Sequence, residues 1–155
     1  MSQQRFHEII GDVTARIGTQ ALDGELQHLL TRTFPPGGLV FEELAEICRV
    51  GIREGWLCDR EQGGIKFGRI TKPGPVTAGF SVDVVEMDNV VGPHHRHPHG
   101  EIDMIIPESP DARFDGHGKR WLVYEAGSAH KPTVSSGKAI VLYLLPGGAI
   151  EFTKS

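Results

Sequence analysis

Gly92-Pro93-His94-His95-Arg96-His97-Pro98-His99-Gly100-Glu101 is the stretch whose reading decides the fold. In an extended chain, side chains two residues apart point to the same side. His95 and His97 therefore aim their imidazoles at one point. Pro98 and Gly100 favour a turn directly after them. A turn there folds the next strand back and can bring the Glu101 carboxylate to the same point. Imidazole and carboxylate together suit iron, manganese, nickel, zinc or cobalt. The chain holds 8 histidines, and 6 of them lie between His94 and His130. Histidine is the commonest metal ligand, so this clustering points to a site rather than to scattered surface residues. In Ala126-Gly127-Ser128-Ala129-His130, a glycine turn places one more histidine at the start of a strand.

Working outward, short alternating apolar runs at 65–70, 79–87, 102–106, 121–124 and 139–145 read as strands. Turn signals separate them: Lys72-Pro73-Gly74-Pro75, the segment 107–110, Asp115-Gly116-His117-Gly118, Ser135-Ser136-Gly137 and Pro146-Gly147-Gly148. Many short strands with regular turns imply an antiparallel sandwich or barrel. The residues before about 60 have a different texture. Phe6, Ile9, Ile10, Val13 and Ile17 follow the spacing of one helix face. A second helix is expected over 22–31, with Leu22, Leu26, Leu29 and Leu30 apolar, and Phe34-Pro35-Pro36-Gly37-Gly38 stops it. A third is expected over 41–54, with Phe41, Leu44, Ala45, Cys48 and Ile52 on one side and Gly55 as its cap. The expectation is one domain over 1–155: a helical cap or oligomer contact over about 1–60 and a barrel over about 61–155.

The bulk numbers exclude some functions. At 39% hydrophobic residues the chain can build a core, yet no stretch approaches the roughly 20 apolar residues of a membrane span. The start, Met-Ser-Gln-Gln-Arg-Phe-His-Glu, has no signal-peptide pattern, so a cytoplasmic location is expected. A net charge of −4 with no basic stripe argues against nucleic acid and anionic membranes as partners. Cys48 and Cys58 fit no CxxC pattern and are expected to be reduced thiols, Cys48 in the core and Cys58 near a helix end.

These motifs resemble those of the cupin superfamily. Its first motif has His-x-His, three or four residues, then Glu, as in His95, His97 and Glu101. Its second has Pro-x-Gly-x-x-His, as in Gly127 and His130. The resemblance implies a mainly β protein, a cupin-type antiparallel jelly-roll barrel with an N-terminal helical segment. It also implies one divalent metal ion held by His95, His97, Glu101 and His130. Four positions depart from the motifs: Asn89 and Glu108 stand for glycines, Glu125 for a proline and Val134 for an asparagine. Those positions shape turns and bind no metal.

Within the superfamily, three features are similar to the bacterial 4-hydroxylaminobenzoate lyases of nitroaromatic breakdown. They are the helical N-terminal third, the run from Gly92 to Asp103, and Gly127-Ser128-Ala129-His130-Lys131-Pro132-Thr133. That resemblance implies conversion of 4-hydroxylaminobenzoate and water to 3,4-dihydroxybenzoate (protocatechuate) and ammonia, and a homodimer. No net oxidation occurs, in keeping with the lack of a GxGxxG fingerprint or P-loop. Glu101 is then a ligand or a proton shuttle, and His94 or His99 a proton donor. An aromatic carboxylate substrate needs a cation and a flat apolar wall. The candidates are Arg69 with Phe67, and Arg120 with Trp121. His117 is expected on the surface of a hairpin, and His7 and His28 are expected to be structural residues of the helices. Two other readings stay open: a metal-dependent dioxygenase acting on a small aromatic or thiol, and a non-catalytic cupin that binds a small molecule.

Overall fold

The computed structural model describes residues 2–153. Three helices come first. In α1 (Ser2–Ile17), the face formed by Phe6, Ile9, Ile10, Val13 and Ile17 is buried, as its spacing requires. The second, α2 (Gly24–Thr33), begins two residues later than the apolar pattern implies, because Asp23 caps it by accepting from the Leu26 N–H at 3.0 Å. The third, α3 (Leu39–Glu54), ends on Gly55, whose φ of 89° only glycine adopts freely.

Ten strands follow: β1 (Arg60–Gln62), β2 (Ile65–Thr71), β3 (Phe80–Val91), β4 (His95–His97), β5 (Glu101–Pro107), β6 (Arg113–Phe114), β7 (Arg120–Tyr124), β8 (Ser128–His130), β9 (Thr133–Pro146) and β10 (Glu151–Phe152). All five expected strands are present. β3 and β9 extend well past their apolar runs because they pair with each other along nearly their whole length. A register shift between Asp88 and Val90 bends that pair, and Asn89 sits in it with φ 45°. Asparagine tolerates this left-handed conformation better than most residues, so it can stand where the motif has glycine.

The large sheet runs β1-β2-β3-β9-β5-β7, with β6 also on β9, and the small sheet runs β10-β4-β8. All pairings are antiparallel. This is a mostly β arrangement of two antiparallel sheets with helices on its outside. Alternation along the strands divides the large sheet into two faces. Val82, Val84, Ile102, Met104, Ile140, Leu142 and Leu144 pack with Phe6, Leu26, Phe41 and Leu44 of the helices into one core. Val85, Met87, Ile105, Val141 and Tyr143 point the other way and form a second core with Phe114 and Val134. The ring of Phe114 in that second core lies 6.2 Å from the ring of His130 on the small sheet. The inner face of the large sheet therefore looks toward the small one. Cys48 is buried and Cys58 half-buried, and both are free thiols. No helix among the described residues is long and apolar enough to cross a membrane.

Candidate metal centre

β4 and β8 pair so that His95 faces His130 and His97 faces Ser128. The turn after β4 carries the chain from the small sheet into the large one. At its end, Gly100 has φ 91° and its N–H donates to the His97 carbonyl at 3.3 Å. Glu101 follows as the first residue of β5. The turn inferred from Pro98 and Gly100 thus folds the chain as expected.

The result is a tight cluster. The Nε2 atoms of His95 and His97 lie 2.9 Å apart, and those of His130 and His95 lie 3.1 Å apart. Glu101 Oε1 is 3.2 Å from His97 Nε2 and 3.8 Å from His95 Nε2, and Oε2 is 3.9 Å from His130 Nε2. His95, His97 and Glu101 are buried, and His130 is partly so. Both Glu101 oxygens lack a hydrogen-bond partner among the described residues, apart from the imidazoles facing them. Burial raises the Glu101 carboxyl, but the neighbouring His95 and His97 imidazoles and Asp103 outweigh it and lower the group to about 2.

Each imidazole has its other nitrogen engaged. His130 Nδ1 lies 2.5 Å from Asp115 Oδ2, His97 Nδ1 2.9 Å from Ser128 Oγ, and His95 Nδ1 3.4 Å from the Pro93 carbonyl. With Nδ1 carrying the proton in each, three Nε2 lone pairs converge beside one buried carboxylate. Three lone pairs and an anion with no other donor form an arrangement that a cation satisfies and that is costly without one. The donor spacing fits metal bonds of about 2.1 Å. His95, His97, Glu101 and His130 could therefore hold one metal ion.

Other groups crowd this centre. Asp103, two residues along β5, is fully buried, and its oxygens also lack donors among the described residues. Burial and the neighbouring Glu101 push its carboxyl well above the usual range. The Tyr124 ring lies 5.4 Å from that of His97 and 4.6 Å from that of His130. Its hydroxyl donates to Asp115 at 2.5 Å. Phe152, on β10, is exposed with its ring 5.9 Å from that of His95. Sequence reading missed Asp103, Asp115, Tyr124 and Phe152. Asp115 was visible only as half of a turn, and Tyr124 becomes significant only through its pairing with Glu101.

The remaining candidates fall in different places. His94 is half-buried, with Nδ1 2.5 Å from Thr153 Oγ1, and His99 is exposed in the turn; neither joins the cluster. Phe67 packs on the inner core. Arg69, on the same face of β2, donates to Asp83 at 2.9 Å and to the Gly148 carbonyl at 3.3 Å. Arg120 lies at the far end of β7 from Tyr124 and bonds to the Trp121 carbonyl and to His117. Trp121 is a correction. Its ring is buried on the outer face beneath the helices, where Nε1 donates to the Phe34 carbonyl at 2.8 Å. It meets Phe41 edge to face and cannot line the inner face. His117 is half-buried rather than exposed, and His7 and His28 lie on the helices, as expected, with exposed side chains.

Two antiparallel sheets that gather three imidazoles and a carboxylate at one place define the class of protein, a mostly β protein with a candidate metal centre. The chain belongs to the family described as PnbB, 4-hydroxylaminobenzoate lyase, whose pattern matches residues 8–152. It is 31% identical over 137 residues to the 4-hydroxylaminobenzoate lyase of Nocardioides sp. (strain LMS-CY), covering 83% of this chain and 81% of that one. It is 27% identical over 165 aligned positions to the enzyme of the same name from Pseudomonas putida, covering 94% of each. Among solved structures, an RmlC-like cupin protein from Ralstonia eutropha JMP134 has a TM-score of 0.47 at 12% identity, covering 61% of this chain and 62% of that one. The family is one of enzymes, and this chain is a member of it.

Proposed function

We propose that this chain is a metal-dependent lyase that converts 4-hydroxylaminobenzoate and water to 3,4-dihydroxybenzoate and ammonia. The observation that carries the metal dependence is the meeting of three Nε2 atoms with a buried carboxylate that has no other partner. Family membership supports the substrate and the reaction.

The chemistry balances without a redox cofactor. Breaking the N–O bond, with a proton delivered to the departing hydroxyl, releases one water and leaves the ring electron-poor. One water then adds at the ring carbon beside the nitrogen. A second adds at the carbon that bears the nitrogen, and ammonia leaves. The net change consumes one water.

A bound divalent ion supplies Lewis acidity toward oxygen and lowers the pKa of water. The protein's own groups do the rest. His95, His97 and His130 keep their lone pairs inward because their Nδ1 atoms are committed elsewhere. Glu101 completes the cage and handles protons at its carboxylate, since His99 faces solvent and His94 is held on Thr153. Arg69 and Phe67, on the inner face of β2, provide the cation and the flat surface for the carboxylate and ring of the substrate. Arg69 shares one cross-sheet row with Asp83, Tyr143 and Asp103, so it faces the same interior as the centre.

Incubating metal-loaded protein with 4-hydroxylaminobenzoate tests the proposal. Ammonia and 3,4-dihydroxybenzoate in equal amounts, with no oxygen uptake, are expected. Oxygen consumed in step with product would point instead to a dioxygenase, and the absence of any product would remove the substrate assignment.

A further inference from the structure

The hairpin that leads from β6 into β7 turns on Asp115 and Gly116. Both have positive φ, 50° and 82°. Phe114 and His117 exchange both backbone hydrogen bonds at 2.8 Å. This is the two-residue turn whose first position suits Asp, Asn or Gly. The backbone thus explains why a small polar residue stands there, but it does not choose Asp over Asn.

The side chain does make that choice. Asp115 Oδ2 accepts from His130 Nδ1 and from the Tyr124 hydroxyl, each at 2.5 Å, and Oδ1 accepts from the Thr133 N–H at 2.9 Å. Three donors from β8, β7 and β9 converge on one carboxylate. An amide has a single acceptor oxygen, so in either orientation its NH2 group would face a donor. Only the carboxylate accepts from all three while the His130 proton stays on Nδ1; an amide would have to shift that proton to Nε2, the nitrogen that faces the centre.

We propose that Asp115 is a positioning residue for the metal centre: seated in its turn, it fixes the ring of His130 and the hydroxyl of Tyr124 so that the four donor groups stay converged. The inference rests on the metal-dependent reading above. With Nδ1–H committed to Asp115, Nε2 is the nitrogen His130 has left to offer a cation. Tyr124 anchors the same carboxylate while its ring braces His97 and His130, and it stands opposite Glu101 across β5 and β7. One carboxylate thereby couples two of the three imidazoles to the strand beside Glu101.

Calorimetric titration of zinc into metal-free protein, alongside thermal unfolding, tests this. Asp115→Asn keeps the turn and is expected to unfold within about 4 °C of the parent. It should bind zinc about 10- to 100-fold more weakly. Tyr124→Phe should weaken binding less. In the zinc-loaded parent, nitrogen NMR of the imidazoles should show His130 protonated at Nδ1 and metal-bound at Nε2. Parent-like zinc affinity in Asp115→Asn would overturn the inference, as would a His130 bound through Nδ1. Should Asp115→Asn fail to fold, the NMR of the parent decides by the same criterion. A parent that binds no zinc would instead bring down the metal reading on which this inference stands, an outcome distinct from a parent and variant that bind equally well.

Discussion

Glu101 and Tyr124 stand opposite each other across β5 and β7 on the inner face of the large sheet, while the next pair along, Ile102 and Val123, packs toward the helices. One step along either strand thus separates the chemistry from the structural core. This alternation assigns a different consequence to each substitution.

On the inner face, removing a donor should remove the metal. His97→Ala and Glu101→Gln are expected to lower bound metal to background, as measured by elemental analysis, while the fold persists by circular dichroism. Turnover should fall with the metal. A chelator should abolish activity in the parent, and added divalent ion should restore it.

Gly100 sets the angle at which the chain enters β5. Its φ is 91°, and a Cβ there would lie 2.7 Å from the Tyr124 carbonyl oxygen and 2.8 Å from a Leu22 methyl. Gly100→Ala is therefore expected to cost about 1–3 kcal/mol in stability by denaturant unfolding. Because Glu101 is the next residue, metal content should also drop in the protein that remains folded.

On the outer face, Trp121→Phe should do the opposite. It keeps an aromatic ring against Phe41 but leaves the buried Phe34 carbonyl without its donor. A loss of about 1–3 kcal/mol in unfolding free energy is expected, with unchanged turnover per folded molecule. A selective rise in KM would instead place Trp121 at the substrate.

Burial, and next the charge of Glu86, push the Cys58 thiol up to about 12 from an ordinary 9.0. Burial pushes Cys48 higher still. Both thiols should be nearly inert to alkylating reagents at pH 8 in the folded protein and reactive once it is unfolded. The raised values favour the protonated folded form. Their contribution to stability is thus complete below about 9 and is lost as pH rises from there through about 12. Unfolding midpoints measured across that range should fall.

The parts of the centre that sequence disclosed were local ones. His95 and His97 share a face by strand alternation, and the Pro98–Gly100 turn returns Glu101 to them. His130 follows a glycine, Gly127, whose φ is 84°. Other contributions depend on pairing between distant strands. Tyr124 acquires its place from the register with Glu101, and Asp115 looked like a turn residue because the turn alone accounts for its backbone. Trp121 was misplaced for a different reason. Trp-Leu-Val-Tyr is apolar at every position, so nothing in the segment says which alternate side chains face the interior. The ends of β3 and β9 were missed because Asp88, Asn89 and the segment 135–138 are polar, yet the strands continue through the bend, with Asp88 paired to Lys138 before it and Val90 to Val134 after it.

Diffraction from metal-soaked crystals, recorded at the absorption edge of the metal, puts the central claim to its most direct trial. One anomalous peak should appear within bonding distance of Nε2 of His95, His97 and His130 and of a Glu101 oxygen. A metal-replete crystal with no peak there, or with its peak elsewhere on the chain, would contradict the account.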